Sequence, residues 1–142
     1  MEIALLQTDI AWGDKKVNLE QVEQLMNQHP GAQLYVLPEM FATGFMVGEG
    51  VAVEPVGGDV HRWMVQKATQ KGCAVAGSVA VEENGRLYNR FYFVTPDGAT
   101  WHYDKHHLFT YAGEDKRYTK GEDRVVVRYG GMRILLQVCY DL

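Results

Sequence analysis

The spacing of apolar positions changes along the chain. Ile3 to Gln7 opens with an apolar run that predicts a buried strand. From Asn18 the period becomes helical: Leu19, Val22, Leu25 and Met26 fall on one face, Asn18 with Gln21 forms a capping-box pattern, and Gly31 marks the stop. Leu34 to Leu37 predicts a second buried strand, ended by Pro38. A loop rich in Gly, Phe and Met follows, from Met40 to about Gly58. Asp59 is placed to cap a second helix with Val60, Trp63, Met64, Lys67 and Ala68 along one side and Gly72 as terminator. Beyond it the period shortens to that of strands: Cys73–Val81, Tyr88–Val94 and Thr100–Tyr103, separated by the turns Glu83-Asn84-Gly85 and Pro96-Asp97-Gly98. A polar loop from Lys105 to Asp123 leads to a last hairpin, Val125–Tyr129 and Met132–Val138 around Gly130-Gly131. Helices between the early strands and hairpins later predict an α/β layered fold with a mixed sheet and helices on one face.

Composition narrows the class. At 142 residues the chain is expected to be a single domain. Hydrophobic residues at 46% and charged residues at 23% exclude disorder, collagen and coiled coil. A formal net charge of −4 gives no general attraction to nucleic acid or to an anionic membrane. Two cysteines, Cys73 and Cys139, are too few for a disulfide scaffold. No apolar run reaches the ~18–20 residues of a membrane span, and the first residues lack the positive region of a secretory signal. The expectation is a soluble cytoplasmic protein with reduced thiols.

Three polar residues each follow an expected strand: Glu39 after Leu34–Leu37, Lys105 after Thr100–Tyr103, Cys139 after Met132–Val138. Ligands in open α/β sheets bind outside the carboxyl ends of strands, so an acid, an amine and a thiol are expected to converge at one sheet edge. A carboxylate can take the thiol proton, and a lysine can hold an oxyanion and favour the thiolate, which together describe acyl transfer through a thioester. Each residue alone has a plainer reading: a buried small hydrophobe, a solvated glutamate, a surface lysine.

The local words decide between them. Leu-Pro-Glu-Met-Phe-Ala-Thr-Gly-Phe at 37–45, Tyr-Asp-Lys-His-His-Leu-Phe at 103–109 and Val-Cys-Tyr-Asp-Leu at 138–142 resemble, in order, the glutamate, lysine and cysteine motifs of the carbon–nitrogen hydrolase (nitrilase) superfamily. The Phe-Ala-Thr-Gly-Phe and Lys-His-His-Leu-Phe wording is most similar to the omega-amidase branch. The resemblance implies Cys139 as nucleophile, Glu39 as general base, Lys105 as oxyanion stabiliser, Glu114 as a second active-site glutamate, and the Tyr140 backbone N–H as the other oxyanion donor. It implies hydrolysis of monoamides of 2-oxo dicarboxylic acids, such as 2-oxoglutaramate and 2-oxosuccinamate, with no metal and no cofactor. It further implies an αββα sandwich, of which this chain supplies roughly the first half, and a homodimer for the full-length form. Members of the superfamily continue past the cysteine motif, whereas this sequence stops at Leu142, so one sheet face is expected to lack its cover.

Phe45 and Tyr111 are candidates for a substrate pocket. His102, Asp104, His106 and His107 could be read as metal ligands; the plainer reading is of half-exposed polar residues, with His106 and His107 shaping the lysine loop. Two other functions stay open: a different amidase, nitrilase or carbamoylase of the same superfamily, and a non-catalytic binding module built on the same half-fold.

Overall fold

The computed structural model describes every residue except Glu49 and Val51. Its strands are β1 (Ile3–Leu5), β2 (Leu34–Val36), β3 (Glu54–Pro55), β4 (Ala74–Glu83), β5 (Arg86–Val94), β6 (Thr100–Asp104), β7 (Val126–Tyr129) and β8 (Met132–Leu135); its helices are α1 (Lys15–Gln28) and α2 (Asp59–Lys71). The main sheet runs β1-β2-β4-β5-β6, with β3 beside the far half of β4. Strands β1, β2 and β4 are mutually parallel, while β4, β5 and β6 form an antiparallel meander. Two reversals bring β6 back to the direction of β2, so both strands finish at the same edge of the sheet.

The two faces of the sheet are sorted by the period of two. Val75, Val79 and Val81 point one way, to Val22 and Met26 of α1 and Val60 and Met64 of α2. Ala74, Ala76, Phe93 and Tyr103 point the other way, to Val127, Leu136 and Val138. The β7–β8 hairpin, a sheet of its own, lies on that second face. The face expected to be bare is therefore covered in its middle by the hairpin. At the β1 edge it is open, with Leu5 77% exposed.

Both helix starts differ from the sequence expectation. Asp14 caps α1, its carboxylate accepting from the Val17 N–H at 3.1 Å. Asn18 lies inside the helix and is buried: its Oδ1 accepts from the Ala11 N–H at 2.7 Å, and its Nδ2 donates to the carbonyls of Ala11 at 2.7 Å and Ala42 at 2.9 Å. The Asn-x-x-Gln spacing imitates a cap, but the amide clips two loops together. Replacing it leaves buried backbone groups unpaired, so Asn18→Ala is expected to lower stability by about 1–3 kcal/mol, measured by urea unfolding. Gly58, not Asp59, is the N-cap of α2, and the Glu54 carboxylate accepts from the Val60 and His61 N–H groups at 2.9 and 3.2 Å. Gly72 ends α2 in the left-handed region, φ 63°, as expected. Among the described residues no helix is long and apolar enough to cross a membrane.

Candidate active site

Glu39 follows the end of β2. The chain turns at once: Met40 has φ 47°, and its N–H donates to the buried Ser78 Oγ of β4 at 2.9 Å. Lys105 extends β6 by one residue, its N–H donating to the Asn89 carbonyl on β5 at 2.9 Å. The returning loop presses Gly121 against this segment and donates to the Lys105 carbonyl at 2.9 Å; a Cβ on Gly121 would lie 2.1 Å from the Asp104 carbonyl oxygen. Strand alternation turns Tyr103 and Lys105 to the hairpin side of the sheet. The lysine is fully buried there.

A buried ammonium needs partners, and the fold provides them. Lys105 Nζ donates to Glu39 Oε1 at 2.8 Å and to Glu114 Oε2 at 3.0 Å. Burial alone would pull the lysine pKa down, but the hydrogen bonds and charges of the two glutamates outweigh it and hold it above the ordinary lysine value. Glu114 is fully buried too, in a short 3-10 turn, Glu114–Lys116, and its Oε2 also accepts from the Phe109 N–H at 2.6 Å. The motifs give no sign of a fourth member, Asn89: its Nδ2 donates to Glu39 Oε1 at 2.7 Å and to Glu114 Oε1 at 3.1 Å. Its signal in the sequence is weak: an asparagine, a poor strand former, inside the strand, beside Arg90.

The thiol reaches this cluster from another sheet. Strand β8 stops at Leu135, and Cys139 opens a 3-10 turn, Cys139–Asp141, with φ 43°. The expected meeting of three strand ends on one edge is thus corrected. Glu39 and Lys105 share an edge of the main sheet, whereas Cys139 is delivered by the hairpin laid over its face. Asp141 ties the two together. Its carboxylate accepts from the Val138 N–H at 2.9 Å, the His107 N–H at 2.8 Å and the Tyr103 hydroxyl at 2.8 Å. Burial, and next the charge of Glu39, push the Cys139 thiol up, while Lys105 pulls it down. The net direction is upward: the pull of Lys105 does not outweigh desolvation and the charge of Glu39.

An aromatic rim adjoins the cluster. Phe45 lies beneath Lys105 Nζ at 5.4 Å, and Phe109 bridges Phe45 and Tyr140 with ring centroids 6.5 and 5.3 Å away. Tyr111 is 93% exposed and stacks on Phe109 at the outer side of this rim, ring centroids 6.0 Å apart. His107 Nδ1 lies 3.0 Å from Asp141, and no group of three metal-ligating side chains is arranged to hold an ion among the described residues.

A family model for carbon-nitrogen hydrolases matches residues 2–142. The chain belongs to this family. It is 42% identical over its whole length to the omega-amidase YafV of Escherichia coli K12, and 29% identical over 99% of its length to the 2-oxoglutaramate amidase of Bacillus subtilis. It spans about half of these curated relatives, 55% and 56% of their lengths. Among solved structures, the carbon-nitrogen hydrolase superfamily protein XC1258 from Xanthomonas campestris superposes with a TM-score of 0.94 at 36% identity, over 99% of this chain and 54% of that one. In this carbon-nitrogen hydrolase chain the cluster carries two carboxylates against one ammonium.

Proposed function

We propose that the protein is a thiol amidohydrolase that releases ammonia from the side-chain amide of 2-oxo dicarboxylic acid monoamides, 2-oxoglutaramate and 2-oxosuccinamate. The observation that carries this reading is the ion cluster: a fully buried Lys105 bridging Glu39 and Glu114, with the Cys139 thiol inside the field of all three. Cys139 attacks the amide carbonyl as Glu39 takes the thiol proton. Lys105 and the Tyr140 N–H stabilise the oxyanion. The tetrahedral intermediate collapses, the C–N bond breaks, and Glu39 returns the proton to the departing ammonia. Water, deprotonated by the same carboxylate, then cleaves the thioester to give the free acid and the thiol. Similarity to the omega-amidase and to the 2-oxoglutaramate amidase supports the choice of substrate.

The test is ammonia release from 2-oxoglutaramate by the protein expressed from its natural reading frame, alongside a panel of linear amides, nitriles and carbamoyl compounds. Release from the 2-oxo acid monoamides ahead of the panel is expected. Faster turnover of a nitrile or carbamoyl compound would replace the substrate assignment, and no turnover of any of them would remove the enzymatic reading.

A further inference from the structure

We infer that Asn89 is a positioning residue for the reaction: a neutral double donor that locks the general base and its companion carboxylate without cancelling their charge. This deepens the proposed function and rests on Glu39 acting as base.

Lys105 Nζ and Asn89 Nδ2 each touch both carboxylates, so the four side chains close a ring, Glu39–Lys105–Glu114–Asn89. The amide orientation is fixed by its neighbours, since ionised carboxylates only accept. On Glu39 both bonds fall on Oε1: Lys105 at 2.8 Å and Asn89 at 2.7 Å. The other oxygen, Oε2, takes no part in the ring. Lys105 alone would let the carboxylate pivot about one contact; the second donor, from a neighbouring strand, removes that freedom.

The residue type follows from charge. A cation in place of Asn89 would give the cluster two positive and two negative charges and weaken Glu39 as a proton acceptor. An acid would add a third negative charge and no donor. An asparagine supplies two protons and leaves the cluster at one net negative charge. The arrangement also carries a cost that stability alone would not retain: Asn89 is fully buried, yet its Oδ1 has no hydrogen-bond partner among the described residues. An orphaned buried acceptor is destabilising, and such exceptions call for a reason beyond packing. Here the reason is that both amide protons are committed to the carboxylates.

The experiment compares Asn89→Asp and Asn89→Leu with the unaltered protein. Folding is checked by thermal melts, and kcat and KM are followed from about pH 5 to 9. The assay uses whichever linear amide the unaltered protein cleaves fastest, so failure of the 2-oxoglutaramate assignment leaves this test intact. Asn89→Leu is expected to lose about 10- to 100-fold in kcat, the range for outer-shell partners of metal ligands, with KM within about threefold. For Asn89→Asp the groups facing the new carboxyl are Glu39 from the end of β2, Lys105 from the end of β6, Glu114 from its turn, and Cys139 beyond Glu39. All are shared with the unaltered protein, so they largely divide out of the activity ratio. That ratio is expected to rise as pH falls, because the introduced carboxyl donates one hydrogen bond when protonated and none when ionised. The ratio for Asn89→Leu stays flat. A folded Asn89→Leu protein with kcat within about twofold of the original would overturn the inference. So would a pH-independent ratio for Asn89→Asp, which decides the matter alone if the leucine variant does not fold.

Discussion

Cys139→Ala is expected to abolish the proposed ammonia release while leaving the fold in place, the largest effect of any single substitution here. The turn that carries the thiol is held by Asp141 to Val138, His107 and Tyr103, and the sulfur contributes nothing to those bonds. Loss of a nucleophile costs about 10⁶-fold in kcat where a serine hydrolase has been taken apart residue by residue, and a drop of at least about 10⁴-fold is expected. The second cysteine supplies an internal control, since Cys73 is buried whereas Cys139 is exposed. Iodoacetamide should therefore label Cys139 first in the unaltered protein and leave Cys73 until the chain unfolds. Both thiols are pushed up, Cys73 by burial and Cys139 by partial desolvation and the charge of Glu39. Labelling of Cys139 should accordingly be slow at neutral pH and climb through and above the ordinary thiol value of 9.0. Fast labelling at pH 6, or equal labelling of the two cysteines, would contradict the resting state described here. A non-catalytic binding module would release no ammonia in either the unaltered protein or Cys139→Ala.

Lys105→Met is expected to cost both activity and stability. The substitution keeps the length of the side chain but leaves Glu39 and Glu114 facing each other, one partly and one fully buried, with only Asn89 between them. Breaking a buried pair by removing one partner costs about 3–5 kcal/mol. A raised folded-state pKa means that the lysine's contribution is complete below the ordinary value of 10.5 and is lost as pH rises through the folded value. The variant should lack that alkaline loss and show its deficit across the neutral range, as read from urea midpoints between pH 6 and 11. Adding Glu114→Gln to Lys105→Met removes one of the stranded charges. The double variant should regain about 0.5–3 kcal/mol and no activity. Regained activity would mean that Lys105 is structural alone.

The sequence exposes most of this site because its residues are written in short local words. Glu39, Lys105 and Glu114 meet through direct bonds, and Cys139 enters their field, as the motifs imply. What local pattern does not carry is pairing at a distance. Met132–Val138 reads as a strand whether it extends the main sheet or forms a separate hairpin; which happens depends on packing of Val127, Leu136 and Val138 against Phe93 and Tyr103. Asn18 misleads for a related reason, because its partners Ala11 and Ala42 lie in loops that only the folded chain brings together. Asn89 escapes notice because strand period reports which face a residue takes, not what charge waits there. Some element ends, by contrast, are legible locally: Pro38 after β2 and Gly72 after α2 act through their own backbone and need no tertiary partner, whereas α1 ends at Gln28, ahead of the expected Gly31.

Delivery of Cys139 by a separate hairpin has a bearing on the order of assembly. Glu39, Asn89, Lys105 and Glu114 all precede the cysteine along the chain, and their bonds involve the meander and its flanking loops but not the hairpin. A polypeptide that emerges from the ribosome amino terminus first has the proton acceptor and its cation available before the sulfur is synthesised. Until the turn at Val138–Asp141 docks on Tyr103 and His107, the thiol belongs to an ordinary unstructured segment. On the proposed mechanism the thiol meets its proton acceptor only once this turn has docked, and a nascent or partly unfolded chain carries no more reactive sulfur than any free cysteine.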